Sequence, residues 1–473
     1  MLVEFTNGKT EVQEKEEEIL KNGSKIAMQF SRRVSDLDWR RLLLIIPPLF
    51  LFLFVALSAN TSNPLSSFAP LRSFILSHTF QAPENITFNN SNITFNNSAS
   101  PPATPSRVVK KPSDSAVTRW RRRKDELNRS RMAVCLVGGA RRFELSGPSI
   151  VEKILKEYPN SDLFLHSPLD KNAFKFSLMK SAPRLASVRI FEPKPLPVTD
   201  SQLRVLTAAN SPNGIQGLLQ YFKLVEGCLT MIKAHQKRKK FTYDWIVRTR
   251  VDGYWNAPLH PRNFVPGKYL VPPGSTYGGL NDRFGVGDLN TSTVALSRLS
   301  LIPQLDSAGF QNLNSETSFR AQLTTRGVPY LTKRLPFCVV TDRRYSFPPT
   351  RYGVPVAALS SPGPLSGAKC RPCTPACEGS CVASVMSYLD RGWSWTDWGN
   401  GTLRLCDAHG DWESGWERIF DRIAGEKSAR ARKRIKNLKL QQCVDDFNGM
   451  KRRMTGKWES PPPEEICRLG LGA

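Results

Sequence analysis

The stretch that decides the fold is MAVCLVGGARR, residues 132–142. Its first half is a short apolar run, and its second half consists of small residues and arginine. This change predicts a buried first strand that breaks into a glycine-containing turn. Small residues let a ligand approach the backbone, and arginine suits phosphate recognition. The candidate ligand-binding residues of the turn are Gly138, Gly139, Arg141 and Arg142.

Strands and helices alternate after this first strand. Further strands are predicted at 162–166, 188–191 and 243–251, and helices at 148–158 and 214–236. This alternation predicts an α/β domain with a mainly parallel sheet. Sheets of this kind bind ligands beyond the carboxyl ends of their strands.

One predicted strand, YDWIVRTRV, is followed directly by the acidic residue Asp252. A carboxylate at a strand end can bind Mn²⁺ or Mg²⁺ and thereby hold a nucleotide diphosphate. Arg248 and Arg250 on the same strand can pair with phosphate or with acidic residues. Asp252 is therefore the candidate metal ligand, and the three residues together are candidate nucleotide-sugar ligands. A structural ion pair within the sheet is the alternative for Asp252.

Two further segments supply candidate catalytic carboxylates. The loop GGLNDRFG at 278–285 places Asn281 and Asp282 between glycines, where they can contact a sugar or a metal. The segment LNSETSF at 313–319 contains Glu316, a candidate base or acceptor-binding carboxylate. A helix-capping role is the alternative for Glu316. The sequence thus predicts Asp282 and Glu316 as catalytic residues and Asn281 as a nucleotide-sugar ligand.

An uncharged apolar run, LLLIIPPLFLFLFVALSA, occupies residues 42–59. A helix of this length spans about 27 Å at roughly 1.5 Å per residue, close to the thickness of a bilayer's hydrocarbon core. The run begins later than a typical signal peptide does, so we expect an uncleaved anchor. Four arginines precede it, which places its N-terminal side in the cytosol. They are Arg32, Arg33, Arg40 and Arg41.

Glycosylation triplets agree with a lumenal location for the rest of the chain. They begin at Asn60, Asn85, Asn89, Asn92, Asn96, Asn128, Asn290 and Asn400. The predicted parts are a disordered cytosolic tail at 1–41, the transmembrane anchor at 42–59, a disordered glycosylated stem at 60–130, an α/β domain at 131–345 and a Cys/Trp-rich, basic helical C-terminal module at 346–473. The basic run at 119–124 is expected to be a solvated linker. This layout predicts a single-pass type II membrane protein of the Golgi.

All ten cysteines follow residue 130, in a lumen that is expected to be oxidising. That compartment favours disulfides, although the sequence does not give their pairing. The candidates are Cys370, Cys373, Cys377, Cys381, Cys406, Cys443 and Cys467. Zinc held by the cluster at 370–381 is the alternative. Cys135 and Cys228 lie in a predicted strand and helix, where each can be a buried free thiol.

The motifs, in their order along the chain, resemble those of a broad family of nucleotide-sugar glycosyltransferases. The matching stretches are VCLVGGARRF, DLFLH, YDWIVRTRVD, GGLNDRFGVG and NSE, within residues 132–340. More narrowly, the lumenal part resembles a plant membrane-anchored family with a domain of unknown function. The resemblance implies a GT-A/Rossmann-like sheet with Asp252 in the place of the metal-binding acid. Arg250 stands where the first Asp of an Asp-x-Asp pair belongs, so the need for Mn²⁺ or Mg²⁺ stays open.

The net charge of +26 favours anionic partners, and a lumenal location excludes nucleic acid. We therefore expect an enzyme that transfers a sugar from a nucleotide sugar to a glycan or glycoprotein acceptor. A lumenal sulfotransferase, which needs no strand-end acid, is one alternative. A non-catalytic carbohydrate-binding or scaffolding protein that uses clustered tryptophans, such as Trp395 and Trp398, is the other.

Overall fold

A computed structural model of the chain describes residues 116–209, 211, 213–345, 354–387 and 402–472. The predicted tail, the anchor at 42–59, the stem before residue 116 and the tryptophans Trp395 and Trp398 lie outside these ranges. Six predicted glycosylation sites also lie outside them: Asn60, Asn85, Asn89, Asn92, Asn96 and Asn400. Among the helices that are described, none is both long and apolar enough to cross a bilayer.

The helices are numbered here in chain order. They are α1 (Ala116–Arg129), α2 (Phe143–Ile150), α3 (Asp200–Val205), α4 (Gly214–Lys239), α5 (Leu289–Leu296), α6 (Ile302–Ser307), α7 (Ser315–Thr325), α8 (Ser380–Ser387), α9 (Trp416–Lys436), α10 (Leu440–Arg453) and α11 (Pro463–Leu471). Short 3₁₀ segments lie at Ala173–Ser181 and Pro261–Asn263, and a π-helical turn lies at Val151–Leu155.

The strands are numbered in the same way. They are β1 (Met132–Val137), β2 (Ser161–Pro168), β3 (Leu185–Phe191), β4 (Trp245–Arg250), β5 (Gly253–Trp255), β6 (Tyr269–Val271), β7 (Phe284–Asp288), β8 (Tyr330–Thr332), β9 (Phe337–Val340), β10 (Ala357–Ala358), β11 (Ala368–Arg371) and β12 (Trp458–Glu459).

Eight strands form the main sheet, in the order β12-β3-β2-β1-β4-β7-β6-β8. The five strands from β12 to β4 are parallel, whereas β7 runs antiparallel to β4 and β6. The predicted α/β class with a mainly parallel sheet is therefore confirmed, with antiparallel pairing at β7. Val137 pairs with Arg250 in register, so the turns after β1 and β4 lie at the same edge of the sheet.

Both faces of the main sheet are covered. Met132, Val134 and Leu136 of β1 belong to one buried cluster, which includes residues of α2, α10 and α11. The alternate residues Ala133 and Cys135 belong to a second cluster with α4. Because neither face of β1 meets water, its sequence is a continuous apolar run rather than an alternating one.

A second sheet has the order β10-β11-β9-β5. The chain passes into it directly from the main sheet, because only Val251 and Asp252 separate β4 from β5. The strands β10 and β11 come from the segment after residue 345, and β12 near the C-terminus pairs with β3. The predicted boundary at residue 345 therefore falls within shared sheets and a shared core, and the segment 346–473 is no separate module.

The start of the folded region also differs from the prediction. The basic run at 119–124 lies in α1, where Arg123 donates to the Phe264 carbonyl at 2.6 Å. Lys124 pairs with the Glu157 carboxylate at 2.6 Å, and Leu127 is fully buried. These contacts make α1 part of the folded domain rather than the end of a solvated linker.

The helix predicted at 148–158 begins earlier, at Phe143, and its second half is a π-helical turn. Pro148 lies inside it and has no backbone N–H to donate, so the regular ladder is interrupted there. The prediction missed the first turn of this helix because a Gly-Pro pair such as Gly147-Pro148 is typical of a helix boundary.

All ten cysteines are in disulfides. The pairs are Cys135–Cys228, Cys338–Cys370, Cys373–Cys406, Cys377–Cys381 and Cys443–Cys467. The free-thiol interpretation of the first pair was wrong, because β1 and α4 pack face to face and bring the two sulfurs together. The clustered cysteines have different partners instead of one shared zinc ion. Five disulfides indicate an oxidising, secretory compartment.

A chain cut after residue 345 is expected not to fold. It lacks the partner strands of β3 and β9 and the buried side chains of Phe447, Met450 and Ile466. Circular dichroism during heating should show a cooperative transition for residues 116–473 and none for residues 116–345. A cooperative transition of the shorter chain would show that the C-terminal segment is an independent domain.

Two of the predicted glycosylation sites lie on described residues, and they differ in accessibility. Asn290 is exposed at the start of α5. Asn128 is half-buried, and its side-chain oxygen is shielded from solvent without a hydrogen-bond partner. We expect Asn290→Gln to lower the mass of the secreted domain by one glycan and Asn128→Gln to leave it unchanged. Glycopeptide mass spectrometry with a glycan on Asn128 would contradict this expectation.

Candidate active site

A cavity of about 670 Å³ opens at the edge of the main sheet where β1 and β4 end. Its wall comes from both sheets, from the start of α4, from the loop before β7 and from the start of α7. The position is the one expected for a ligand site of a parallel sheet, beyond the carboxyl ends of its strands. Of the predicted site residues, it contains Arg141, Arg250, Asp282 and Glu316.

Five cationic side chains from separate segments line this cavity. They are Arg141, Arg250, Arg283, Arg343 and Lys369. Arg283 is buried and donates to neutral oxygens: Ser275 Oγ and the Gly367 carbonyl, each at 2.7 Å, and the Tyr277 hydroxyl at 3.5 Å. Within the described part of the chain, the side chains of Arg141, Arg343 and Lys369 form neither a hydrogen bond nor an ion pair with a protein group. Arg141, Arg343 and Lys369 are therefore cations without a direct counter-ion among the described residues, whereas Arg250 pairs with Asp252.

Lys369 is the cation most affected by this arrangement. Burial lowers its pKa well below the ordinary value, and the neighbouring Arg283 and Arg250 lower it further. An ammonium group held among other cations is unfavourable unless an anion compensates it. Burial among these cations therefore disfavours the charged form of Lys369, whereas Asp252 favours it and a bound anion would favour it further.

Arg250 and Asp252 form a two-pronged ion pair at the junction of the two sheets. Arg250 Nε and Nη2 each lie 2.8 Å from a different carboxylate oxygen of Asp252. Burial on its own would raise the pKa of Asp252, but the ion pair outweighs burial and holds that pKa below its usual range. Asp252 is only 3% exposed, and Arg250 rather than Asp252 faces the cavity. This is the structural ion pair that the sequence left as an alternative.

Asp282 and Glu316 line the cavity with opposite shifts in pKa. Asp282 accepts a hydrogen bond from Ser315 Oγ at 2.6 Å and lies 3.7 Å from Arg298. Burial opposes ionisation of Asp282, but Arg298 and Arg248 outweigh it and lower its pKa. Burial and the nearby Asp282 charge raise the pKa of Glu316 to about 8. Asp282 is therefore ionised at neutral pH, whereas Glu316 is mostly protonated.

Gly279 fixes the position of Glu316. A side chain at Gly279 would lie 2.0 Å from the Glu316 carbonyl group, so only glycine lets the loop approach α7 this closely. Leu280 N–H then donates to the Glu316 carbonyl at 3.1 Å. The helix is capped by Asn314, whose side chain accepts from the Thr317 N–H. Glu316 is thus free of the capping role that the sequence left open.

The other predicted ligands lie near the cavity but do not line it. Arg142 stacks 4.2 Å from the Trp412 ring centre and pairs with Asp342. Arg248 donates to the hydroxyl of Tyr221, which does line the cavity.

Three more of the predicted ligands have structural contacts at the cavity's edge. Asn281 donates to the Pro273 carbonyl at 3.2 Å. Gly138 has a positive φ of 120°, and Gly139 approaches the Asp170 carboxylate so closely that a side chain there would meet it at 2.7 Å. These residues shape the backbone that surrounds the cavity.

Several cavity residues carried no sequence signal. Arg343 and Lys369 lie after the matched motifs, and only the second sheet brings them to the cavity. The polar residues Thr207, Ser211 and Asn213 come from the start of α4 and the loop before it. Arg283 lies in the loop at 278–285 but was not predicted as a site residue, because its neighbours Asn281 and Asp282 were the stronger candidates in that loop.

The carboxylates of the cavity do not converge on a metal position. Within the described ranges, no three His, Cys, Asp or Glu side chains lie close enough together to share a metal ion. Asp252, the predicted metal ligand, has both oxygens engaged by Arg250.

The fold and the cavity together define an α/β protein with a basic, carboxylate-containing ligand site. Residues 127–473 match the profile of a domain of unknown function, DUF7796, and the chain belongs to that family. No curated protein matches the sequence. Among solved structures, the chain is similar to mouse xyloside xylosyltransferase 1 in its apo form, with a TM-score of 0.28 and 13% identity over 43% of this chain and 85% of that one. Similarity this distant carries no argument about activity.

The raised pKa of Glu316 predicts how stability depends on pH. A glutamate in the unfolded chain ionises near pH 4.5, whereas Glu316 in the fold keeps its proton to about pH 8. Between these values the folded state binds the extra proton, so raising the pH favours unfolding.

We therefore expect the melting temperature of Glu316→Gln to fall less than that of the wild type between pH 5 and pH 9. Differential scanning calorimetry would measure this, with the exposed Glu378→Gln as the control. Parallel curves for the wild type and Glu316→Gln would show that Glu316 is ionised in the fold.

Proposed function

We propose that this chain is a nucleotide-sugar glycosyltransferase whose donor binds in the basic cavity and whose acceptor hydroxyl is deprotonated at Glu316. The observation that carries this proposal is that two features occur in one cavity. One is a set of cations without direct counter-ions. The other is a pair of carboxyl groups, Asp282 and Glu316, whose pKa values are shifted in opposite directions. The cations suit the diphosphate of a sugar donor. The carboxyl groups suit the proton transfer that accompanies transfer of the sugar.

The anionic part of the donor is the most demanding group to bind. A nucleotide diphosphate brings at least two negative charges, and arginine matches its oxygens with paired N–H groups. Arg283 and Lys369 supply positive charge from within the cavity, and Arg141 and Arg343 supply it from more exposed positions. Because these groups are already held in place, they can stabilise the charge that develops as the diphosphate leaves.

Glu316 and Asp282 fit two different roles. In sugar transfer, the bond between the anomeric carbon and the diphosphate oxygen breaks, and a bond to the acceptor oxygen forms. The acceptor hydroxyl loses its proton in this step, and a carboxylate with a pKa near the working pH is an efficient acceptor for it. We assign the proton to Glu316, whose pKa is about 8. Asp282 stays ionised and is suited to orient a sugar hydroxyl.

Another part of the cavity lining is polar but not cationic. Thr207, Ser211 and Asn213 lie there with Gly217, and together they present hydroxyl and amide groups beside a residue without a side chain. Such a surface suits sugar hydroxyls, which need neutral donors and acceptors. We assign this side to the transferred sugar or the acceptor glycan.

The compartment is consistent with such an enzyme. The five disulfides suit a secretory lumen, where the predicted N-terminal anchor would hold the domain. We place the protein in the Golgi as a type II membrane protein. Its acceptor would then be a glycan or a glycoprotein.

The first test is binding of nucleotides to the chain purified in detergent. Isothermal titration with UDP, GDP and adenosine 3′,5′-bisphosphate should show binding of one nucleoside diphosphate. We expect Lys369→Met to weaken that binding by about tenfold or more, because it removes a charged partner of the phosphates. Selective binding of the adenosine bisphosphate would favour a sulfotransferase instead. Absence of any binding by a folded chain would favour the non-catalytic alternative.

The second test is the pH dependence of transfer. If Glu316 accepts the proton, kcat/KM should increase about tenfold per pH unit and level off near pH 8, because only its ionised form reacts. Glu316→Gln should remove this dependence and lower kcat by about a hundredfold or more. A pH profile that is unchanged in Glu316→Gln would assign the proton transfer to another group.

A further inference from the structure

We propose that side-chain cations, rather than a divalent metal ion, hold the diphosphate in this cavity. This inference rests on the proposed function, because it concerns the same donor site. It assigns Arg250, Arg283, Arg343 and Lys369 as the diphosphate-binding groups. It also gives Asp252 a different task, which is to position Arg250.

Asp252 is not available to a metal ion. Both of its oxygens accept hydrogen bonds from Arg250, and the carboxylate is almost completely buried. A metal ion at Asp252 would have to break this pair and leave the Arg250 guanidinium without its counter-ion. Breaking a buried ion pair in this way is strongly unfavourable.

The remaining carboxyl groups of the cavity do not replace Asp252 as metal ligands. Asp282 is directed at Ser315 and Arg298, which occupy one of its oxygens. Divalent cations such as Mg²⁺ bind through ionised carboxylates and water. The cavity offers no matching set among the described residues.

Basic side chains from separate segments meet at the cavity, and a bound anion would favour the charged form of Lys369 among them. Arg250 comes from the main sheet, Lys369 from the second sheet, and Arg283 from the loop between β6 and β7. Lys369 and Arg343 have no hydrogen-bond or ion-pair partner among the described residues, and Arg283 binds only neutral oxygens. These basic side chains need an anion as their partner, and an additional cation would be repelled by them. A diphosphate supplies the charge that this arrangement lacks.

Asp252 completes the arrangement from behind. Its two hydrogen bonds fix the plane of the Arg250 guanidinium, and Arg250 lines the cavity. An arginine that is held in one orientation loses less entropy when it binds phosphate. Asp252 is thus a positioning residue and does not touch the diphosphate.

The experiment is titration of the full chain in detergent with the nucleoside diphosphate that it binds, in excess EDTA and again with Mn²⁺. We expect the same affinity in both conditions. Lys369→Met and Arg343→Ala should each weaken binding about tenfold to a hundredfold in EDTA, as expected for the loss of a charged hydrogen-bond donor. Arg344→Ala is the matched control, because Arg344 is the next residue but pairs with Asp411 at the surface.

Asp252→Asn separates the two roles of that residue. A positioning role predicts that binding weakens equally in EDTA and in Mn²⁺, because Arg250 is held less firmly in both. A metal-ligand role predicts that Asp252→Asn matters only when Mn²⁺ is present. Circular dichroism would confirm that the variant is folded, and the EDTA comparison on the wild type needs no variant.

The outcomes distinguish this inference from the proposed function. Binding that occurs with Mn²⁺ and disappears in EDTA would overturn the metal-free site and leave the transferase proposal standing. Absence of nucleoside diphosphate binding in both conditions would overturn the proposed function and this inference with it.

Discussion

The ion pair between Arg250 and Asp252 is the constraint on which the site depends. It lies where the chain leaves the main sheet and enters the second sheet, so the buried Asp252 and the partly exposed Arg250 fix the junction of the two layers. Neither charge can be buried alone, because an unpaired ion inside a protein is strongly destabilising. With the pair in place, the second sheet carries Lys369 and the segment before Arg343 to the end of β4. The basic cavity is thus a consequence of how the two sheets are joined.

The charges around the cavity divide into groups with partners and groups without. Asp282 is stabilised by Arg298 and Ser315, which keeps it ionised and in turn raises the pKa of the neighbouring Glu316. Separation of two carboxyl groups in this way is typical of sites that need one charged and one neutral acid. Partial burial of Glu316 and the placing of several cations without direct counter-ions both oppose folding. Such costs are common where a protein keeps a site ready for a charged ligand.

Much of the α/β core was predictable from sequence. The strands near 132, 162, 188 and 245 and the long helix from Gly214 follow from apolar runs and helical spacing, which are local properties of the chain. Arg141, Arg250, Asp282 and Glu316, which line the cavity, were also among the predicted site residues, because they lie at strand ends, in a loop or at the start of a helix within short motifs. Arg343 and Lys369 were not, since nothing local distinguishes them from other exposed cations. The boundary at 345 was placed by a change in composition, which does not report which strands pair.

The sequence by itself determined the class of the fold, the clustering of cysteines in the chain and the candidate catalytic carboxylates. These depend on residue type and short-range spacing, which a single segment expresses alone. Only the tertiary structure decided that Asp252 pairs with Arg250, that Cys135 bonds to Cys228, and that the C-terminal segment completes both sheets. Each of these depends on residues far apart in sequence, or on which of several neighbours a side chain meets. The sequence identifies these ionisable side chains and cysteines. Their burial and their partners in the tertiary structure then decide whether they ionise, form ion pairs or form disulfides.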